Sequence, residues 1–461
     1  MKTKVTLILA IIFGLLLIFS DTVIAQNGDN DQDEQNDETF DDDPFFQRPL
    51  EELLRQEEYE RMVRETDSLM VSKRRIDFPQ RDMGGPSQFP GISELYPTLP
   101  LALRHNRVDG LFLGIRTQPM HWDRGDRRLM KMYGSLGYGF RSNYWQYSIG
   151  VERFFGYNQN VKLGVLYRNM LATDDMWRTA PIENSLSSFF GGYDFLDYYE
   201  SEGVRPYAVI RTGSFFEHTL AFKAEDHRSA ERNTRYALFG TNRHLNPMIT
   251  EGHLQAFKWA TGFHSGGFIL GDRLAFSGDV QAEVADLDWL DSDFGFNRYE
   301  MELRSDFLID PSAILRTRIR GGTSVGELPF QRQFALGGIG TLRGRSHKEF
   351  VGSDMLLFNA ELHLGDHIRR TEPRTEGFNV DWSEFLAYLI FDAGWVNQDE
   401  FMQENFLDGF DNFDAGDIKT DIGIGISLPL SRMSALRFEF AWPTDDFESG
   451  PAFWIRLNPT F

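Results

Sequence analysis

The chain has 461 residues, of which 25% are charged and 14% aromatic; it contains no cysteine and carries a formal charge of −22. That acidity argues against nucleic acid as a partner, because phosphate binding depends on basic side chains. Without cysteine, neither disulfides nor thiolate-metal sites can hold the fold together.

Lys2 and Lys4 precede an apolar run from Leu7 to Phe19, and Val23-Ile-Ala25 follows before Gln26. A basic start, a short apolar core and a small residue at the cut site predict a secretory signal peptide over residues 1–25. No cysteine comes after it, which excludes a lipid-anchored lipoprotein. Residues 26–47 carry acids from Asp29 to Asp43 and no base, so they repel themselves and predict a disordered segment. Over 48–75, Leu50, Leu53, Leu54, Met62, Val63 and Leu69 recur among Glu and Arg. This spacing predicts a periplasmic helix, joined by a linker that runs to residue 100.

From residue 101 to the end an all-β transmembrane antiparallel barrel is expected. The hydrophobic period there is two. Tyr299, Met301 and Leu303 alternate with Arg298, Glu300, Glu302 and Arg304; Leu315, Thr317 and Ile319 alternate with Arg316, Arg318 and Arg320. One apolar and one heavily charged face, repeated over many segments, is the pattern of a lipid-facing exterior around a polar lumen. Glu300, Glu302 and Arg304 are expected to meet the Arg316, Arg318 and Arg320 stripe across adjacent strands. Strands are predicted at 107–117, 131–141, 144–154, 160–171, 203–213, 215–225, 252–264, 272–285, 295–308, 312–322, 354–365, 384–396, 418–429, 433–442 and 452–461. A closed single-chain barrel needs an even number, so sixteen are expected, with fourteen as the alternative. The missing strand is sought at 95–105 or 231–239. Tight connections at 309–311 and 430–432 read as periplasmic turns, and 226–251, 323–353 and 397–417 as external loops. The segment 172–202, with Phe189, Phe190, Tyr193, Phe195, Tyr198 and Tyr199, is too long for a hairpin and can lie at either end.

Two motifs stand out among these strands: Phe334-Ala-Leu-Gly-Gly-Ile-Gly-Thr-Leu-Arg-Gly344 and Ile390-Phe-Asp-Ala-Gly394. They resemble the lumen loop and the partner strand of the bacterial surface-antigen barrel family, the BamA-like outer-membrane barrels, and five strands follow the loop as in that family. The resemblance covers roughly residues 105–461. It implies that Arg343 reaches into the lumen and pairs with Asp392, which alternates inward with Tyr388 and Ile390. Gly337, Gly338, Gly340 and Gly344 would let the loop turn sharply and lie close to the wall; Leu342 and Gly394 complete the two motifs. It further implies a Gram-negative outer-membrane location with the N-terminal segment in the periplasm. The implied partners are outer-membrane lipids and other outer-membrane proteins, for a monomeric barrel without cofactor or metal.

Two departures from the family are visible. No strand-helix-helix-strand-strand pattern of a POTRA domain occurs in residues 26–100, and Pro459 stands where an aromatic is common near the terminal Phe461. The function expected is assistance to protein or lipid insertion or transfer, through a weak seam between a strand beginning near Val108 and the last strand. The alternative is a passive channel with a charged lumen. A hydrolase comes third: Gly262-Phe-His-Ser-Gly-Gly267 is loosely similar to the His-Ser region of the outer-membrane phospholipase barrel, but its glycines suit a turn, and no enzyme is expected. The acidic loop residues Asp286, Asp288, Asp291 and Asp293 read as solvated charge.

Overall fold

The computed structural model describes residues 101–457, apart from 118–119, 125–126, 157–159, 214, 243, 266–272, 287, 311, 366–385, 399–401, 412 and 432–433. The expected signal peptide, acidic segment and helix, and residues Pro459 and Phe461, lie outside the described residues.

One antiparallel sheet contains eighteen segments. Met120–Arg124 continues the strand before it, and Met402–Gln403 adds to the end of another, which leaves sixteen wall strands. They are β1 (Leu101–Asn106), β2 (Gly110–Arg116), β3 (Arg127–Gly139), β4 (Tyr144–Phe155) and β5 (Val161–Ala172), then helix α1 (Pro181–Gly191). Next come β6 (Tyr199–Thr212), β7 (Phe216–Ser229), β8 (Gly252–His264), β9 (Leu274–Val284), β10 (Phe296–Asp310) and β11 (Ala313–Glu327). The last five are β12 (Asp354–Leu364), β13 (Leu386–Asn397), β14 (Lys419–Ser431), β15 (Ser434–Pro443) and β16 (Ala452–Arg456). Each pairs with its successor in the chain.

The sheet is apolar outside and charged inside, the inverse of a soluble fold. Leu113, Ile149, Val165, Ile319, Leu389, Ile424 and Ile455 are exposed, whereas Arg168, Glu225, Glu302, Arg318, Glu361 and Glu439 are buried. No helix among the described residues is long and apolar enough to cross a membrane.

The sixteenth strand is β1, which overlaps the 95–105 candidate and runs one residue past it; 231–239 is not a strand and offers only an isolated bridge between Tyr236 and Thr241. The first strand therefore does not begin near Val108. Asn106 Oδ1 accepts from the amides of Val108 and Asp109 at 2.9 and 2.6 Å, and this side-chain-closed turn separates β1 from β2. Tracing the strands places 173–198 at the same end as 230–251, 328–353 and 398–418. We call this the long-loop end.

Candidate functional site

The lumen site begins as a hairpin inside the β11–β12 connection, where Phe334–Leu336 pairs with Phe350–Gly352. Phe334, Leu336 and Leu342 pack with Met355 and Leu357 of β12, all nearly or fully buried. Gly394 makes room for this seat, since a Cβ there would stand 2.7 Å from Leu336 Cδ1. At the tip, Gly337, Gly338 and Gly340 have φ of +117°, +81° and +72°. Gly344 serves differently from the expectation of a sharp turn: it lies outside the left-handed region, and a Cβ would meet Pro443 N at 2.6 Å, so it permits close approach to β15.

Arg343 is 1% exposed and forks onto Asp392, with Nε to Oδ2 at 2.8 Å and Nη2 to Oδ1 at 2.7 Å; its backbone amide adds a third bond at 3.2 Å. Nη1 turns to Glu361 at 2.6 Å and lies 3.6 Å from Glu439. Burial opposes the charge on Arg343, but Asp392, Glu439 and Glu361 outweigh it and hold its pKa above the ordinary guanidinium value. Arg437 takes the other side of the carboxylates, 2.5 Å from Glu361 and 2.6 Å from Glu439. Tyr388 Oη accepts from Arg437 Nε at 2.9 Å and donates to Glu439 at 3.0 Å. Asn359 stands opposite Asp392 in register and donates to it at 2.7 Å and to the Thr341 carbonyl at 2.9 Å. Asp421, opposite Asp392 on the other side, accepts from the Gly344 amide at 2.7 Å and lies 3.2 Å from Arg345. Loop and shelf thus form one charge-assisted network, in which planar guanidinium forks fix orientation as well as position.

The loop is also held from its other side. Trp454 of β16 donates from Nε1 to the Arg343 carbonyl at 2.7 Å. Arg178 donates to the Ala335 carbonyl, and Lys348 Nζ reaches Asp175 and Asp197 at 2.7 and 2.5 Å. His347, beside Arg178 and Lys348, is pushed down to about 2 by burial and by those two cations.

The remaining lumen residues divide into two sets. Arg320 bridges Glu300 and Glu302, the latter at 2.8 Å, across the β10–β11 ladder. Arg304 departs from the expected cross-strand pairing: it faces Arg318 in register and bonds Glu302 of its own strand at 2.5 Å. Arg316 lies 3.8 Å from Asp306. Arg318 turns away from β10 to Asn359 Oδ1, at 3.0 and 2.6 Å, and to the Gly340 carbonyl, and so belongs to the loop site. Sequence reasoning did not single out Glu361, Asn359, Glu439, Arg437, Asp421 or Trp454. Strand alternation from Asp392 was the available signal, since Asn359 and Asp421 are its direct neighbours. At the opposite end, Ser265 Oγ is tied to the Phe276 amide at 3.2 Å. Among the described residues no cluster of three or more His, Asp or Glu side chains could hold a metal ion.

The Omp85 superfamily domain matches residues 138–452. Among solved structures, the chain is similar to BamA from Haemophilus ducreyi lacking POTRA domains 1–3, at 12% identity and a TM-score of 0.46, over 77% of this chain and 68% of that one. It is also similar to CdiB from Acinetobacter baumannii, at 13% identity, a TM-score of 0.41 and 77% and 58% coverage. CdiB from Escherichia coli gives 12% identity, a TM-score of 0.40 and 77% and 60% coverage. The chain therefore spans about two thirds of that BamA chain and about three fifths of the CdiB chains. No curated protein sequence matches it.

Proposed function

The chain belongs to the Omp85 superfamily, and from that premise we propose that this outer-membrane barrel assists the insertion or transfer of protein or lipid at the outer membrane. The working part is the seam between β1 and β16, next to which the Arg343 loop braces the wall. One observation carries this reading. The carbonyl of Arg343, the residue locked onto Asp392, accepts from Trp454 of the last strand at 2.7 Å, so the loop ties the β12–β15 wall to one side of the seam. A weak seam needs such a brace, because the strands beside it lack a neighbour that would otherwise fix them.

The lumen argues in the same direction. A solute channel needs an open aqueous path, whereas Arg168, Glu225, Glu302, Arg318, Arg343 and Glu361 are all buried among protein partners. The test uses liposomes and a separate, urea-unfolded outer-membrane protein. Faster insertion than into empty vesicles, lost in Arg343→Ala, is the expected result. No acceleration by a folded barrel, together with a large stable conductance, would replace this reading with the channel.

A further inference from the structure

Among the described residues β1 pairs only with β2, and β16 only with β15. A strand edge in this position carries amides with no ladder partner, which must be satisfied in some other way or left at a cost. Helix α1 satisfies one such amide on each side, His105 of β1 and Leu457 just after β16. Ser185 Oγ accepts from the His105 amide of β1 at 2.6 Å, and Ser188 Oγ sits 3.0 Å from His105 Nδ1. Beyond the helix, Asp194 accepts from the Arg107 amide at 2.8 Å. On the other edge, Glu183 Oε1 accepts from Arg456 Nε at 3.2 Å and from the Leu457 amide at 3.3 Å.

The sequence of α1 suits this position. Pro181 opens it and Gly192 closes it at φ +74°. Glu183 lies in the first turn, where a carboxylate is favoured by the helix dipole. Glu183, Asn184, Ser185 and Ser188 are buried, whereas Phe190 is 42% exposed. Polar residues on the buried side of a helix are costly unless they are hydrogen-bonded; here Glu183 and Ser185 each bond an edge amide, Ser188 meets the His105 ring, and Asn184 bonds Asp194, Tyr198 and the Phe195 amide.

We propose that α1 is a latch on the barrel seam: its Glu183 and Ser185 side chains occupy the backbone edges of β16 and β1, and its withdrawal exposes those edges for an incoming extended segment. The inference rests on the seam as the working part of the barrel. The contacts are few and made by side chains, so they can be released without unfolding a ladder. Arg456 emphasises the point. It is fully buried, its Nε is bonded to Glu183, and its two Nη atoms have no hydrogen-bond partner among the described residues. A departing latch would leave this guanidinium ready for another acceptor.

The test is hydrogen exchange on the full chain in phosphatidylcholine vesicles, read at the His105 and Leu457 amides. In Glu183→Ala/Ser185→Ala both should exchange about tenfold faster, while the β10–β11 amides are unchanged. Unchanged exchange at both edges in a folded variant overturns the latch. Should that variant fail to fold, the cysteine-free chain allows a second arm, His105→Cys/Ser185→Cys. Oxidation should then slow exchange at Leu457 and at the β1 amides about tenfold and reduction should restore it; indifference to oxidation overturns the latch equally. Exchange is read without a client, so an inactive barrel with a responsive seam would refute the insertion function and leave the latch standing.

Discussion

Two buried arginines, each between a pair of carboxylates, behave differently because of where their partners come from. Arg320 meets Glu300 and Glu302 across one ladder, 20 and 18 residues away, and hairpin register alone brings them together. Arg343 arrives on a loop and meets Asp392 across 49 residues, with Glu361 and Asn359 converging from β12 and Trp454 from β16. The first neutralises charge within a wall that would exist anyway. The second orients a loop tip whose base is seated separately by Leu336, Leu342, Arg178 and Lys348, so its loss should change the conformation of the tip as well as stability.

Replacing each arginine by alanine tests that difference most strongly. Arg343→Ala strands Asp392 without its cation, while Glu361 keeps Arg437, and breaking a buried pair in this way costs about 3–5 kcal/mol. We expect a lower melting temperature in detergent together with new protease cleavage between residues 337 and 349. Arg320→Ala should lower melting and leave the loop protected; cleavage in both variants would erase the distinction. Replacing Arg343 by Met and Asp392 by Leu together should recover much of the melting temperature and none of the protection, because charge balance returns without the fork. Next in size is Gly340→Ala. The backbone there has φ +72°, and a Cβ would stand 2.3 Å from the Arg178 carbonyl oxygen. About 2–3 kcal/mol is expected, read as loop cleavage with the β10–β11 wall intact.

The same contrast explains what could be read from the sequence. Alternation alone puts Glu302, Arg320 and Asp392 on the inner face, because side-chain direction in a strand has period two. It does not say that Arg318 leaves its cross-strand neighbours for Asn359 and the loop. That choice depends on how the hairpin is seated by Leu336 and Leu342 against β12 and β13. The motif glycines and Arg343 were visible through their resemblance to a family, whereas Glu361 and Glu439 looked like any other inward acids. β1 was hard to see because it has six residues and only Leu101 and Leu103 as outward apolar positions. Helix α1 had its start and stop signals in Pro181 and Gly192, but serines in the middle blurred its period.

A smaller effect separates the regions by pH. His347 of the loop is held neutral by burial and by Arg178 and Lys348, with His244 adding in the same direction and Asp197 opposing. The folded pKa of about 2 lies below the unfolded value near 6.5. Between those values only the unfolded chain binds the proton, so stability falls as pH drops below about 6.5. At pH 5.5 the loss should be about 1–1.5 kcal/mol, and His347→Gln should remove it. Melting temperatures at pH 7.5 and 5.5 decide this; an equal drop in parent and variant would assign the acid response elsewhere.

The smallest change should be the most informative about the seam. Trp454→Phe removes one N–H donor to the Arg343 carbonyl, worth about 1 kcal/mol, and keeps an aromatic ring beside Phe195, whose centroid lies 5.8 Å from that of Trp454. The fork onto Asp392 stays whole, so the loop should remain protected from protease. If the loop braces the last strand, β16 amides should nevertheless exchange faster, and insertion should change while global melting barely moves. Should β16 exchange be unaltered, the loop would be bound to the wall without restraining the seam. The comparison would then reduce to two buried ion clusters that differ only in sequence separation.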